Sequence, residues 1–197
     1  MLTYTENFLL TSIKIIELLN NQQPTIEKMI EIIKDTKLHG GRLFLIGMGG
    51  GAGNASHAVN DFRKLCGVDA AAPTDNVSEL TARANDEGLN TIFTGWLKTS
   101  KLSSKDCLFI FSVGGGDIDK NVSMSIVDAV TLALSHKAKI IGVIGRDGGY
   151  TAQYADACVI IPNLNHTMIT PQTEGMQALI WHLLVSSPEL QENKTKW

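Results

Sequence analysis

The chain has 197 residues, 44% of them hydrophobic, and a formal net charge of −3 at pH 7. That length suits one domain with a real core, expected to span 1–197 with residues 1–40 as an N-terminal helical arm. The 17 basic residues are scattered, and their densest run, Lys194–Lys196, sits in a polar tail; nucleic acid and anionic membranes are therefore not expected as partners.

Met1 to Glu6 has no basic start followed by a long apolar run, so no signal peptide is expected. No stretch approaches the roughly 18 apolar residues of a membrane span. Cys66, Cys107 and Cys158 are odd in number, widely spaced and set in or beside apolar stretches. They read as buried thiols in a reducing, cytoplasmic compartment.

In chain order, residues 3–20 place Phe8, Leu9, Ile13, Ile15, Ile16, Leu18 and Leu19 at helical spacing. Pro24 opens a second helix, with Ile26, Met29, Ile30, Ile32 and Ile33 apolar, and His39-Gly40-Gly41 stops it. The pair reads as an antiparallel arm that packs on a sheet or on a partner subunit. Four short, nearly continuous apolar runs then predict strands covered on both faces: Arg42–Gly47, Cys107–Ser112, Lys139–Gly145 and Ala157–Pro162. Val68–Ala72 is a weaker fifth. Helical patterns lie at Asn54–Leu65, Val77–Ala84, Thr91–Lys101, Ile118–His136 and Met168–Ser187. Alternation of strand and helix predicts an α/β fold with a parallel, doubly wound sheet.

The first strand ends in Gly47-Met48-Gly49-Gly50-Gly51-Ala52-Gly53, and a helix follows. Such a turn brings backbone N–H groups to an anion at a helix N-terminus, or simply packs a helix tightly on its strand. A dinucleotide site is a further reading, because Gly47, Gly49 and Ala52 loosely fit its spacing and Asp69 stands about twenty residues on. Two more strand ends carry glycines: Ser112-Val113-Gly114-Gly115-Gly116 and Gly145-Arg146-Asp147-Gly148-Gly149. Crowded round one crevice, these turns suit a short phosphorylated molecule better than a dinucleotide.

The stretches GMGGGAGNASHAVNDF, DNVSELTARANDEGLNTIF, FSVGGG and GRDGG together resemble the sugar isomerase (SIS) domain family, nearest to its phosphoheptose isomerases. The resemblance covers nearly the whole chain. It implies a three-layer α/β/α sandwich with a five-stranded parallel sheet, flavodoxin-like, and a homo-oligomer, tetramer or dimer, with sites where subunits meet. It implies an aldose–ketose isomerase of a sedoheptulose 7-phosphate-like sugar phosphate, feeding heptose synthesis for surface polysaccharide. A non-catalytic sugar-phosphate-binding protein with a regulatory or assembly role is the alternative.

Carried onto this chain, the resemblance puts substrate on Gly49, Gly50 and Gly51, on Asp86, on Ser112 with Gly114, Gly115 and Gly116, and on Gln172. His57 and Asp61 match the family's His and acidic residue, and their i, i+4 spacing sets both on one helix face. The family's last-helix Gln and His positions hold Thr173 and Trp181 in a gapless alignment, with Gln172 one residue early and His182 one residue late. A local bulge or a helix rotated by one residue would bring His182 into the pocket. Asp61 and Glu174 are then the candidate bases and His182 the candidate acid. No cofactor is required; zinc is possible on His57, Asp61 and His182.

Overall fold

The structure is a computed structural model and describes residues 2–195. Met1, at the head of the N-terminal segment, and Lys196, at the end of the basic run, lie outside the described residues. Five parallel strands run in the order β2-β1-β3-β4-β5, which is the flavodoxin-like order. They are β1 (Leu43–Gly47), β2 (Ala70–Ala71), β3 (Cys107–Ser112), β4 (Lys139–Ile144) and β5 (Ala157–Ile160). The central registers pair Leu43 with Cys107 and Cys107 with Lys139. Order reverses between β1 and β3, so the two glycine turns that end them flank the switch-point crevice.

Side chains alternate across the sheet with period two. Leu43, Leu45, Phe109, Phe111, Ile141 and Val143 face one layer of helices: α1 (Tyr4–Leu19), α2 (Gln23–Leu38), α3 (Gly50–Cys66) and α8 (Ile169–Val185). Phe44, Ile46, Leu108, Ile110, Ile140 and Ile144 face the other. That layer holds α4 (Val77–Asp86), α5 (Ile92–Thr99), α6 (Met124–Ser135) and α7 (Gly149–Tyr154). The fold is the expected three-layer α/β/α sandwich.

The arm splits in function. Helix α2 buries Ile26, Met29, Ile30, Ile32 and Ile33, as its pattern requires. Helix α1, started by a Thr3–Glu6 capping box, buries only Ile15 and Leu19 and leaves Leu9, Leu10, Ile13 and Ile16 exposed. At the bend between them, the Gln22 side chain donates to the Ile160 carbonyl (2.6 Å) and accepts from its N–H (2.8 Å). A side chain thereby pairs the edge strand β5, which would otherwise present open backbone groups.

At the opposite edge from the turns, Arg42 just before β1 and Asp106 just before β3 clamp the two strands together. Asp106 accepts from the Arg42 backbone N–H (2.9 Å), Nε (3.0 Å) and Nη2 (2.9 Å). Burial alone would raise its carboxyl; bonds from Arg42 and Ser103 outweigh that and hold it below the ordinary carboxylate value. Burial pushes the thiols up, Cys66 to about 11 and Cys158 to about 12, and Cys107 further still, so all three are inert in thiolate chemistry at neutral pH. Among the described residues no helix is long and apolar enough to cross a membrane.

Two elements differ from their expected bounds for tertiary reasons. Helix α6 begins at Met124, not at Ile118, because Asp117 and Val122 pair across a small loop. Helix α7 has only six residues, too few for a periodic pattern. Its N–H groups at Tyr150 and Thr151 donate to the carbonyls of Gly116 (2.8 Å) and Gly115 (2.9 Å). The dinucleotide reading also fails: Asp69 precedes β2 and sits at the wrong edge, where its carbonyl accepts from Leu43 N–H.

Candidate active site

Helices α3 and α8 run side by side from the crevice down one face of the sheet. Their relative rotation is set by one buried side chain. Gln177 is fully buried; its Nε2 donates to the carbonyls of Ser112, the last residue of β3 (3.2 Å), and Val143, the last but one of β4 (3.0 Å). Its Oε1 accepts from Asn54 Nδ2 on α3 (3.1 Å), so every polar atom of the amide is used. Leaving such a group unpaired would cost about 1–3 kcal/mol, which fixes Gln177 toward the sheet. At about 100° per residue, Trp181 then lies some 40° from Gln177 and points inward, and His182 lies about 140° away, on the flank beside α3.

That flank gathers three titratable groups. The ligand atoms of His57, Asp61 and His182 all lie within 4.8 Å of one another. The His57 and His182 ring centroids are 5.5 Å apart, nearly perpendicular. Trp181 is the floor: it stacks on His182 (3.5 Å) and meets His57 edge-on (4.6 Å). Its indole N–H donates to Asn54 Oδ1 (3.3 Å). His182 Nδ1 lies 2.7 Å from the Ala178 carbonyl, which can only accept, so Nδ1 carries the proton and Nε2 is left as a lone-pair donor. Asp61 is buried and accepts from Asn60 Nδ2 (2.7 Å); the two imidazoles are exposed. Two imidazoles and a carboxylate, one imidazole already oriented by a carbonyl, form a donor set that fits a divalent metal with an open position.

The glycine turns lie above this cluster. In the first, Gly49 takes a left-handed φ of 56° and α3 starts at once. Gly51 passes so close to β3 that a Cβ there would fall 2.6 Å from the Phe111 carbonyl oxygen. The Glu174 carboxylate from α8 lies directly against Gly50, at the positive end of α3. In the second, the Ser112 hydroxyl accepts from the N–H groups of Gly114 (3.3 Å) and Gly115 (3.0 Å).

The sequence profile of the SIS domain matches residues 7–145. The chain belongs to the SIS domain family. A phosphoheptose isomerase of Aliarcobacter butzleri is 28% identical over 184 residues, covering 91% of this chain and 92% of that one. The lincomycin biosynthesis protein LmbN of Streptomyces lincolnensis is 31% identical over 164 residues, 78% of this chain; the match spans 58% of that relative's length. The solved structure of a phosphoheptose isomerase from Francisella tularensis superposes with a TM-score of 0.81 at 22% identity, over 93% of this chain and 97% of that one, and shows the same fold.

On this SIS frame the residues singled out from the sequence separate into groups. His57, Asp61 and His182 come together. Helix α8 is continuous from Ile169 to Val185, so His182 reaches the cluster on a regular helix, without a bulge. Glu174 joins the first turn instead, with Gly49, Gly50 and Gly51. Ser112, Gly114, Gly115 and Gly116 form the second turn, but its free N–H capacity is reduced by Ser112 itself. Gln172 is turned away: its side chain accepts from Ser12 Oγ (3.1 Å) and donates to the Phe8 carbonyl (3.2 Å), tying α8 to α1. Asp86 ends α4 exposed, bonded to the neighbouring Asn85 side chain (2.7 Å), and no contact joins it to the cluster or the turns among the described residues. Asn54 and Gln177 were not singled out, and Trp181 was named only as the residue at the family's last-helix His position. Polar residues at 54 and 177 facing an apolar sheet are the one sequence signal that pointed to them.

Proposed function

We propose that this SIS protein is an aldose–ketose isomerase of a sedoheptulose 7-phosphate-like sugar phosphate. The observation that carries the reading is the meeting of His57, Asp61 and His182 within 4.8 Å, in a chain whose relatives include phosphoheptose isomerases. Isomerisation moves a proton between C1 and C2. Asp61 is the base: it removes the C1 proton of the ketose while the C1–C2 double bond of an enediol forms. His182, as the imidazolium with a second proton on Nε2, protonates the oxygen at C2 from that nitrogen, and returning a proton to C2 with loss of the O1 proton gives the aldose. Trp181 and the Ala178 carbonyl hold the imidazole in one tautomer and orientation. Glu174 stands roughly 12 Å along the axis from His182, eight residues at about 1.5 Å each, and serves as the second carboxylate of the pocket, at the sugar's approach over Gly49–Gly51.

The same three donors suit zinc, which when bound would supply a Lewis acid to the sugar's oxygens. The exposed row of Leu9, Ile13 and Ile16 on α1 supports a homo-oligomer, dimer or tetramer. The proposed setting is the cytoplasm, with a sugar phosphate as the only partner besides its own copies, upstream of surface-polysaccharide heptose. Sedoheptulose 7-phosphate incubated with the protein in D2O, followed by NMR with and without added zinc, should yield an aldose phosphate deuterated at C2. No turnover of any C5–C7 ketose phosphate in either condition overturns the reading.

A further inference from the structure

The α3–α8 seam is fastened at both ends. At the crevice end the fastening is Asn54. Its Nδ2 donates to the Glu174 carbonyl (3.1 Å) and to Gln177 Oε1 (3.1 Å), and its Oδ1 accepts from the Trp181 indole. At the far end the fastening is the chain that follows α8. Past the cap at Ser186, the Ser187 carbonyl accepts from the N–H groups of Leu190 (3.1 Å) and Gln191 (2.9 Å), a turn that sends the chain back towards α3. Leu190 is buried in the same core cluster as Phe62, Leu65 and Val185. The N–H groups of Glu192 and Asn193 then both donate to the Leu65 carbonyl (2.9 Å each), and Asn193 Nδ2 donates to the Lys64 carbonyl (3.0 Å). The last turn of a helix leaves its carbonyls without partners, and here residues beyond α8 supply them.

Two unfavourable features are kept in this segment. The Glu192 carboxylate lies against Gly67, at the negative end of α3, where a carboxylate is disfavoured. Lys37 offsets it: its Nζ pairs with Glu192 and also donates to the Cys66 carbonyl. The Ser187 hydroxyl is buried with no hydrogen-bond partner among the described residues. The segment meets the two helices one turn beyond the cluster. Asp61 to Leu65 and His182 to Ser186 are four residues each, about 6 Å along the axis.

We infer that residues 187–193 are a positioning strap for the site, with Asn193 as its fastening residue. Asn54 sets the register of the two helices at the crevice. The strap sets the gap between them at the other end, and so the distance across which His182 meets His57 and Asp61. Groups on two separate helices act on one bound atom only while both backbones hold their places to about half an ångström. The strap works through the Lys64 and Leu65 carbonyls of α3 and needs no contact with a ligand. This inference rests on the isomerase reading for turnover, and on the seam alone for the geometry.

The test uses the full chain and four variants. Asn193→Pro removes a backbone donor and the side-chain amide together, Asn193→Asp removes only the side-chain donor, and Asn193→Gln keeps it. Asp106→Asn is the control, since it weakens the fold at the strand starts and leaves the strap intact. The first readout is the nuclear Overhauser effect between the His57 and His182 rings, whose centroids are 5.5 Å apart; it needs neither metal nor turnover. Calorimetric titration with zinc chloride, kinetics with sedoheptulose 7-phosphate and Tm follow. Asn193→Pro should abolish the ring-to-ring signal, weaken zinc about tenfold or more, and lower kcat about tenfold with KM little changed. Asn193→Asp should do the same to a smaller degree, and decides the matter where the proline variant does not fold. Asn193→Gln should restore the signal, and Asp106→Asn should lower Tm without moving it. A ring-to-ring signal that depends on Asn193 without turnover would sink the isomerase reading and leave the strap standing. No such signal in the unaltered protein, a signal indifferent to Asn193→Pro and Asn193→Asp, or an equal loss in Asp106→Asn, overturns the inference.

Discussion

Gly47–Gly51 and Ser112–Gly116 look alike as sequence: each ends a buried strand, and each is mostly glycine. Their structures differ in what the glycines are for. In the first, small size is needed on the inside, where Gly51 crosses the Phe111 carbonyl and lets α3 start on the strand. A carboxylate, Glu174, already occupies the helix N-terminus. In the second, conformational freedom is needed: Gly115 and Gly116 take φ of 72° and 87°, and their carbonyls turn to α7. Similar runs of glycine therefore serve packing in one turn and backbone direction in the other. In this SIS protein the clustered His57, Asp61 and His182 lie away from both turns, on the α3–α8 seam.

The largest expected effect separates the seam from the first turn. Asp61→Asn should lower kcat by about 10²–10⁴ while the melting curve keeps its shape, as loss of a proton-transfer group does. Glu174→Gln, with the same loss of charge at the first turn, should cost less than about tenfold. A larger loss from Glu174→Gln would move the chemistry up to the glycine turn.

A middle-sized effect separates the two turns. Gly51→Ala forces a methyl to 2.6 Å from a backbone oxygen, where nothing flexible can give way. Denaturant unfolding should show a loss of about 1–3 kcal/mol, typical of overpacking. Gly114→Ala meets only the Arg146 Cδ at 3.9 Å and has an ordinary φ, so its stability should be unchanged within about 0.5 kcal/mol. Equal losses at both sites would erase the distinction drawn here.

The smallest effect concerns the far ends of the same two strands. Asp106 has a lower carboxyl pKa folded than unfolded, where it is about 3.9. A depressed folded value means its stabilisation is present above the unfolded pKa and is lost as pH falls through the folded one. Thermal melts from pH 6 down to pH 2.5 should therefore fall more steeply for the unaltered protein than for Asp106→Asn below pH ~4. Parallel curves would show that the Arg42–Asp106 clamp does not hold β1 and β3.

Much of this was legible in the chain because it depends on local pattern. Runs such as Cys107–Ser112 are apolar on both faces and can only be central strands, Pro24 marks a helix start, and the i, i+4 spacing of His57 and Asp61 places them together on any helix. What escaped depends on contacts far apart in sequence. Helix α7 exists because Gly115 and Gly116 offer it carbonyls from another strand end. Asp69 stands at the right spacing for a dinucleotide and at the wrong edge of the sheet. Gln172 seemed bound for the pocket and was claimed by α1. The sequence alone determined the layers, the strand ends and two of the three clustered side chains. Only the tertiary structure decided which face of α8 meets α3, since a shift of one residue turns a helix by about 100° and nothing local prefers one setting. The buried amide of Gln177, which had to find Ser112, Val143 and Asn54, set that angle and delivered His182 to the cluster.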